Sequence, residues 1–200
     1  NRGESLAVAD VEAVLGLGWK EYFLYFGAIE PKKNLARVIQ AHLASGAKAP
    51  LVIVGGRGWL DDDENSLLAD LAARSEDRIR RFAYMPFDLL ISVIRGARSV
   101  LFPSLYEGFG LPVLEAMLLG TPVLTSREGA LPEVAGEAAM FVDAYDVDSI
   151  KAGILALDSD ESLRSQLSEQ GKHQAARFNM TAYRAKISEL YGRLGAKSAP

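Results

Sequence analysis

The chain has no cysteine. Disulfides and thiolate metal sites are therefore excluded, and the composition fits a reducing compartment such as the cytoplasm. There are only two histidines, His42 and His173, far apart in the chain, so no histidine–cysteine metal triad can be assembled. Each is read as a structural or solvated side chain. Basic residues are in the minority, with 22 Lys and Arg against 26 Asp and Glu and a net charge of -4. A general nucleic-acid binder carries the opposite balance, and no polybasic membrane tether is supported. No apolar run approaches the roughly 20 residues needed to span a bilayer. No signal peptide is visible, and the start at Asn1 is read as the edge of a longer protein.

What is present is ample apolar material, 49% of 200 residues, enough for one sizeable core. The pattern alternates short dense apolar runs with helical periodicity. Strands are predicted at 22–26, 51–54, 79–82, 100–102, 123–125 and 139–142. Runs apolar at every position mark strands buried on both faces. Helices are predicted after Asn34, where Leu35, Val38, Ile39 and Leu43 share one face, around Leu67–Leu71, and over 87–94, 112–119, 147–157, 163–178 and 181–194. Asn34 is read as the N-cap of the first of these. Residues 1–20 read as the end of an interdomain connection, with a short helix over 8–15. Residues 21–195 read as one domain, and 196–200 as a frayed tail. Strand–helix alternation predicts an α/β, Rossmann-like three-layer domain around a parallel sheet of about six strands.

The most informative stretch runs from Ser104 to Met117. Glu107 and Glu115 stand eight positions apart, the first in a loop with Gly108 and Gly110, the second inside an apolar helical stretch. Pro112 suits the first helical position. The glycines let the backbone approach a ligand closely, and the amides at the helix start favour an anion. Such a segment offers one carboxylate to sugar hydroxyls, amides to a pyrophosphate, and a second carboxylate to a vicinal diol. In a parallel sheet ligands sit beyond the carboxyl ends of the strands. The loops 27–34, 55–59 and 104–111 all follow predicted strands, so they are expected to converge.

Three motifs carry a resemblance. The run from Glu107 to Glu115, with the following Ala116-Met117 and Gly120-Thr121-Pro122-Val123, resembles the E-x7-E donor signature of retaining glycosyltransferases of family 4, which have the GT-B fold. Gly27–Leu35 resembles their G-x-x-x-P-[RK]-K-[NG] phosphate loop, in the form seen in mannosyltransferase-like members. Ser126–Gly136 resembles their S-x-x-x-x-x-P-E-V-x-G turn. The motifs fall in the family's order and the similarity covers most of the chain, about Tyr22 to Tyr191.

The resemblance implies one half of a GT-B fold, the carboxyl-terminal donor domain. It makes Lys33 the phosphate-binding cation and Glu107 the group facing the transferred sugar. Gly27, Gly108, Phe109, Gly110 and Leu111 would line the donor site, and Glu115 would hold the ribose. Tyr84 and Met85 fall where the base is contacted, largely through backbone atoms. The family often has an arginine where this chain has Ala28; Lys32 and Arg57 are the candidates to replace its charge. No cofactor or metal is implied, because a lysine and helix amides take the metal's place. The implied partners are a nucleotide-sugar donor, GDP-mannose above all, and a glycan or lipid-linked acceptor held by an amino-terminal domain not contained here. The whole protein is expected in the cytoplasm, with peripheral contact to the inner face of the membrane. A catalytically silent binding or assembly module of the same fold is the alternative, favoured by Ala28. Bland readings stand beside these roles: Lys32 and Lys33 as solvated residues, Glu107 as a helix-capping loop acid, Glu115 as a solvated helix position. Cations are disfavoured at a helix start, which tilts Lys33 toward function. The acidic run 61–64 reads as a solvated helix start.

Overall fold

A computed structural model describes residues 2–56 and 78–196 of the chain. Six strands form one parallel sheet: β1 (Phe23–Phe26), β2 (Leu51–Val54), β3 (Ile79–Phe82), β4 (Ser99–Phe102), β5 (Val123–Ser126) and β6 (Met140–Val142). Their order is β3-β2-β1-β4-β5-β6. β1 therefore lies at the centre, in register with β2 through Phe23↔Leu51 to Phe26↔Val54, and with β4 through Phe23↔Ser99. The order reverses between β1 and β4, so the crevice beyond their carboxyl ends is the place this topology leaves for a ligand.

Every residue of β1, β2, β4 and β5 is buried. Alternate side chains point to opposite faces, giving two cores. On one face Leu24, Phe26, Val52, Val100 and Phe102 pack with Val93, Ile94, Val113 and Met117. On the other, Phe23, Tyr25, Ile53 and Leu101 pack with Val38, Ile39, Ile150 and Ile154. The helices that supply these residues are α2 (Leu35–Ser45), α3 (Phe87–Gly96), α4 (Leu111–Leu118) and α6 (Val147–Ser159), and α5 (Leu131–Ala135) adds Leu131 and Val134 to the first core. Two more close the chain, α7 (Glu161–Ala175) and α8 (Met180–Ala196). Asp146 and Asp160 cap α6 and α7, their side chains accepting from the amides of Asp148 and Leu163.

Three local readings change. The amino-terminal helix, α1, runs over Arg2–Leu15 rather than from residue 8. Ala7, Val11 and Leu15 recur every four residues and are all buried, and they lay the helix on α3. Leu17 and Trp19 pack on the same core. Asn34 does not cap α2 through its side chain; it sits in the left-handed region at φ 63. Its amide is needed elsewhere, as described below. The Ser126–Gly136 turn contains the short helix α5, and Pro31–Lys33 forms a single 3-10 turn before α2. The helix expected around Leu67–Leu71, the acidic run 61–64 and Arg57 lie outside the described residues.

Candidate functional site

The loops after β1 and β4 meet. The Leu105 amide donates to Lys32 O at 2.7 Å. The Nδ2 of Asn34 donates to Pro103 O at 2.9 Å and to Ala144 O at 2.7 Å, so one buried amide ties the β1 loop to the β4 and β6 loops. The loop after β2 adjoins them, with the Ile29 amide donating to Gly56 O at 3.3 Å and the Gly27 amide to Val54 O at 3.0 Å. The described parts of all three loops expected to converge therefore do so.

Lys33 and Glu107 are brought together at the centre. Lys33 Nζ lies 2.5 Å from Glu107 Oε1, with the two side chains only 15% and 9% exposed. The ammonium also stands over the Phe102 ring, 5.0 Å from its centroid. A solvated lysine would not turn inward to a carboxylate, so the solvated reading of Lys33 fails. Lys32, its neighbour, does stay in solvent, paired with Glu30 at 3.3 Å. Ala28 is exposed and brings no charge of its own.

Glu107 is not a helix cap. No side chain caps α4; its N-cap is Gly110, at φ 98, a conformation that a side chain would strain. The Phe109 and Gly110 amides donate to none of the described residues, and Leu111 opens α4 with the free amide every helix start leaves. Pro112 stands in the first turn, where its missing amide hydrogen removes nothing. Phe109 and Leu111 are exposed beside these donors. The result is a carboxylate paired with a cation, in a loop whose end leaves unengaged amides at the start of α4.

Glu115 sits on the outer side of α4. With Phe87, Leu90, Ile91, Ile94, Leu118 and Leu119 it lines a cavity of about 180 Å³ between α3 and α4, where it is the one carboxylate. Desolvation by these apolar neighbours holds its carboxyl above the usual carboxylate range. Of the two residues expected near a base, Tyr84 is 82% exposed and Met85 is buried in the core.

Sequence reasoning passed over Tyr25. Its hydroxyl is buried without a hydrogen-bond partner among the described residues. Burial first, and then the carboxylates of Glu107 and Glu30, push its pKa far upward. The central apolar run gave no sign that this one hydroxyl lies near the site. His42 is structural, as expected: it is buried, packs edge-on to Phe23, and its Nε2 lies 2.8 Å from Ala49 O. Among the described residues no three metal-ligating side chains gather, and no described helix is long and apolar enough to cross a membrane.

A parallel Rossmann-like sheet with a lysine–glutamate pair and an open helix start at its switch point agrees with the resemblance to glycosyltransferases that the three motifs carry. Residues 13–174 match the glycosyl transferases group 1 family, and the chain belongs to it. It is 41% identical over 169 residues to O-antigen chain mannosyltransferase B of Escherichia coli, a match that covers 82% of this chain and 43% of the relative. It is 40% identical over 115 residues to the MMP alpha-(1->4)-mannosyltransferase of Mycolicibacterium hassiacum, covering 55% of this chain and 28% of that one. Among solved structures, sucrose-phosphate synthase from Thermosynechococcus elongatus superposes with a TM-score of 0.78 at 28% identity, over 96% of this chain and 50% of that one. Anabaena HepE in complex with UDP-glucose superposes at 0.81 with 18% identity, over 94% and 53%, a likeness of fold. The chain spans about half the length of these structures, and less than half of the two mannosyltransferases.

Proposed function

We propose that this chain is the donor-binding half of a retaining hexosyltransferase that moves mannose from GDP-mannose to a glycan or glycolipid acceptor in polysaccharide biosynthesis. The observation that carries the reading is the Lys33–Glu107 pair beside the unengaged amides of the α4 start. As the bond from the sugar to the diphosphate breaks, negative charge grows on the β-phosphate. Lys33 and the amides of Phe109, Gly110 and Leu111 receive that charge in place of a metal ion, and they do so best where water is excluded. A diphosphate competes with Glu107 for Lys33, and sugar hydroxyls then donate to the released carboxylate. Glu115 accepts from the ribose diol on the flank of α4. Mannose is favoured by the two mannosyltransferase relatives. The acceptor belongs to a second domain, and a lipid-linked acceptor would bring the whole protein to the inner, cytoplasmic face of the membrane.

Ala28 favours a second reading, a module that binds nucleotide sugars without catalysis, since it brings no charge to the site. Calorimetric titration with GDP, UDP and ADP, and then with their sugars, tests the donor reading. GDP and GDP-mannose should bind best. No binding of any of them at millimolar concentration would overturn it. The chain alone should transfer no sugar, because half of the cleft that excludes water is absent. Transfer by the chain joined to an acceptor domain separates the active reading from the silent one.

A further inference from the structure

No part of the donor reading falls to the Ser126–Gly136 segment, yet it lies against the back of Glu107. Ser126 Oγ donates to Ser104 O at 2.6 Å, and both residues are buried. The Ala130 amide donates to Glu107 O at 3.0 Å. Between them Gly129 sits at φ +59, and a Cβ there would stand 2.4 Å from Glu107 O and 3.0 Å from Glu107 N. Both are backbone atoms, so no side-chain rotation relieves the contact. On its opposite side the loop that carries Glu107 is held by Lys32 O, which accepts from the Leu105 amide, and by Asn34, which donates to Pro103 O.

We propose that the Gly129–Ala130 turn is a positioning element for Glu107, pressing its peptide into the place from which the carboxylate reaches Lys33. The functional consequence rests on the reading of Glu107 as the group that meets the donor sugar. Restoring ordinary contact at a new Cβ would move the Glu107 peptide by about 1 Å, which stretches the 2.5 Å contact with Lys33 to about the limit of a hydrogen bond. Positioned groups lose function at displacements of about that size. Glycine is required here for space as well as for φ.

The test is Gly129→Ala in the whole chain, with Gly46→Ala as its control. Gly46 has φ +69 and nothing within 4 Å of a built Cβ, so it carries the same backbone strain without the contact. The first readout is the Lys33 ammonium resonance in a nitrogen-15 NMR spectrum, assigned by its loss in Lys33→Arg. It should be present in the native chain and in Gly46→Ala, and broadened away in Gly129→Ala. The second is the ratio of GDP-mannose to GDP affinity, which should fall toward one in Gly129→Ala and hold in Gly46→Ala. Ser126→Ala, which loosens the same turn without strain, should speed hydrogen exchange at the Lys33 ammonium several-fold. If Gly129→Ala does not fold, that exchange rate decides alone. An unmoved Lys33 signal in folded Gly129→Ala, or an unchanged exchange rate in Ser126→Ala, overturns the proposal. The ammonium readouts need no ligand, so they still decide it if the native chain binds no nucleotide sugar.

Discussion

Replacing Glu107 by glutamine should tighten the binding of a bare nucleoside diphosphate while weakening the fold. Lys33 Nζ is 2.5 Å from Glu107 Oε1, and a phosphate oxygen bound to the same ammonium would lie within about 6 Å of the carboxylate. Two unit charges about 6 Å apart repel by about 3 kcal/mol at an effective dielectric of about 20. Hydration and side-chain rearrangement offset most of that, leaving about 1 kcal/mol, or about fivefold in affinity. For stability the sign reverses. Losing one partner of a buried pair costs about 3–5 kcal/mol. Glutamine keeps an acceptor oxygen, and the Phe102 ring still faces the ammonium, so the loss should be nearer to about 1–2 kcal/mol. Calorimetry with GDP at fixed ionic strength reads the first term, and urea unfolding reads the second. GDP-mannose should lose its advantage over GDP in the variant, because the sugar no longer finds a carboxylate. A Glu107→Gln chain that binds GDP more weakly, to the degree that a Glu115 variant does, would refute the reasoning and leave Glu107 as a brace for its own loop.

Glu115→Ala should weaken GDP binding by about 1–3 kcal/mol, since a charged hydrogen-bonding group is lost. The ribose diol needs the ionised form, and apolar neighbours raise the Glu115 pKa. Native affinity should therefore begin to fall, as pH is lowered, above the ordinary glutamate value of about 4.3; a pH series on both proteins isolates this, because the phosphate titrates alike in each. His42 has a depressed pKa, from burial first and then Arg78, while Ala49 O and Asp158 act in the opposite direction. A group depressed in the folded state contributes stability above its unfolded pKa of about 6.5, lost as pH falls toward the folded value. The urea midpoint should drop between pH 7 and pH 5, and the drop should be smaller in His42→Gln. Tyr25→Phe removes a buried hydroxyl that has no described partner, and should be neutral or stabilising by up to about 1 kcal/mol in thermal unfolding; a clear loss would mean that the hydroxyl is satisfied.

The middle of the sheet was legible because strands buried on both faces read as apolar runs, as in Phe23–Phe26 and Leu51–Val54, whereas β3, with Arg80 and Arg81 in its middle, is only partly buried. The Glu107–Glu115 segment was legible because proline, glycine and acid have distinct positional meanings there. Direction was not legible. Lys32 and Lys33 are adjacent and chemically alike, and a 3-10 turn separates their side chains by about 120°, sending one to Glu30 and the other to Glu107. Asn34 suits a helix cap equally well on paper; only the nearby carbonyls of Pro103 and Ala144 decide otherwise. The spacing of Ala7, Val11 and Leu15 was visible, but its partner face on α3 was not.

Asn34 also bears on the order in which the chain folds. Its amide reaches carbonyls 69 and 110 positions away. Closing loops of that length costs entropy that local helices do not face, so such contacts form late. The phosphate loop therefore takes its shape only once β4 and the turn that follows β6 are in place. Nucleotide binding would appear in a refolding experiment after the far-ultraviolet signal has already recovered.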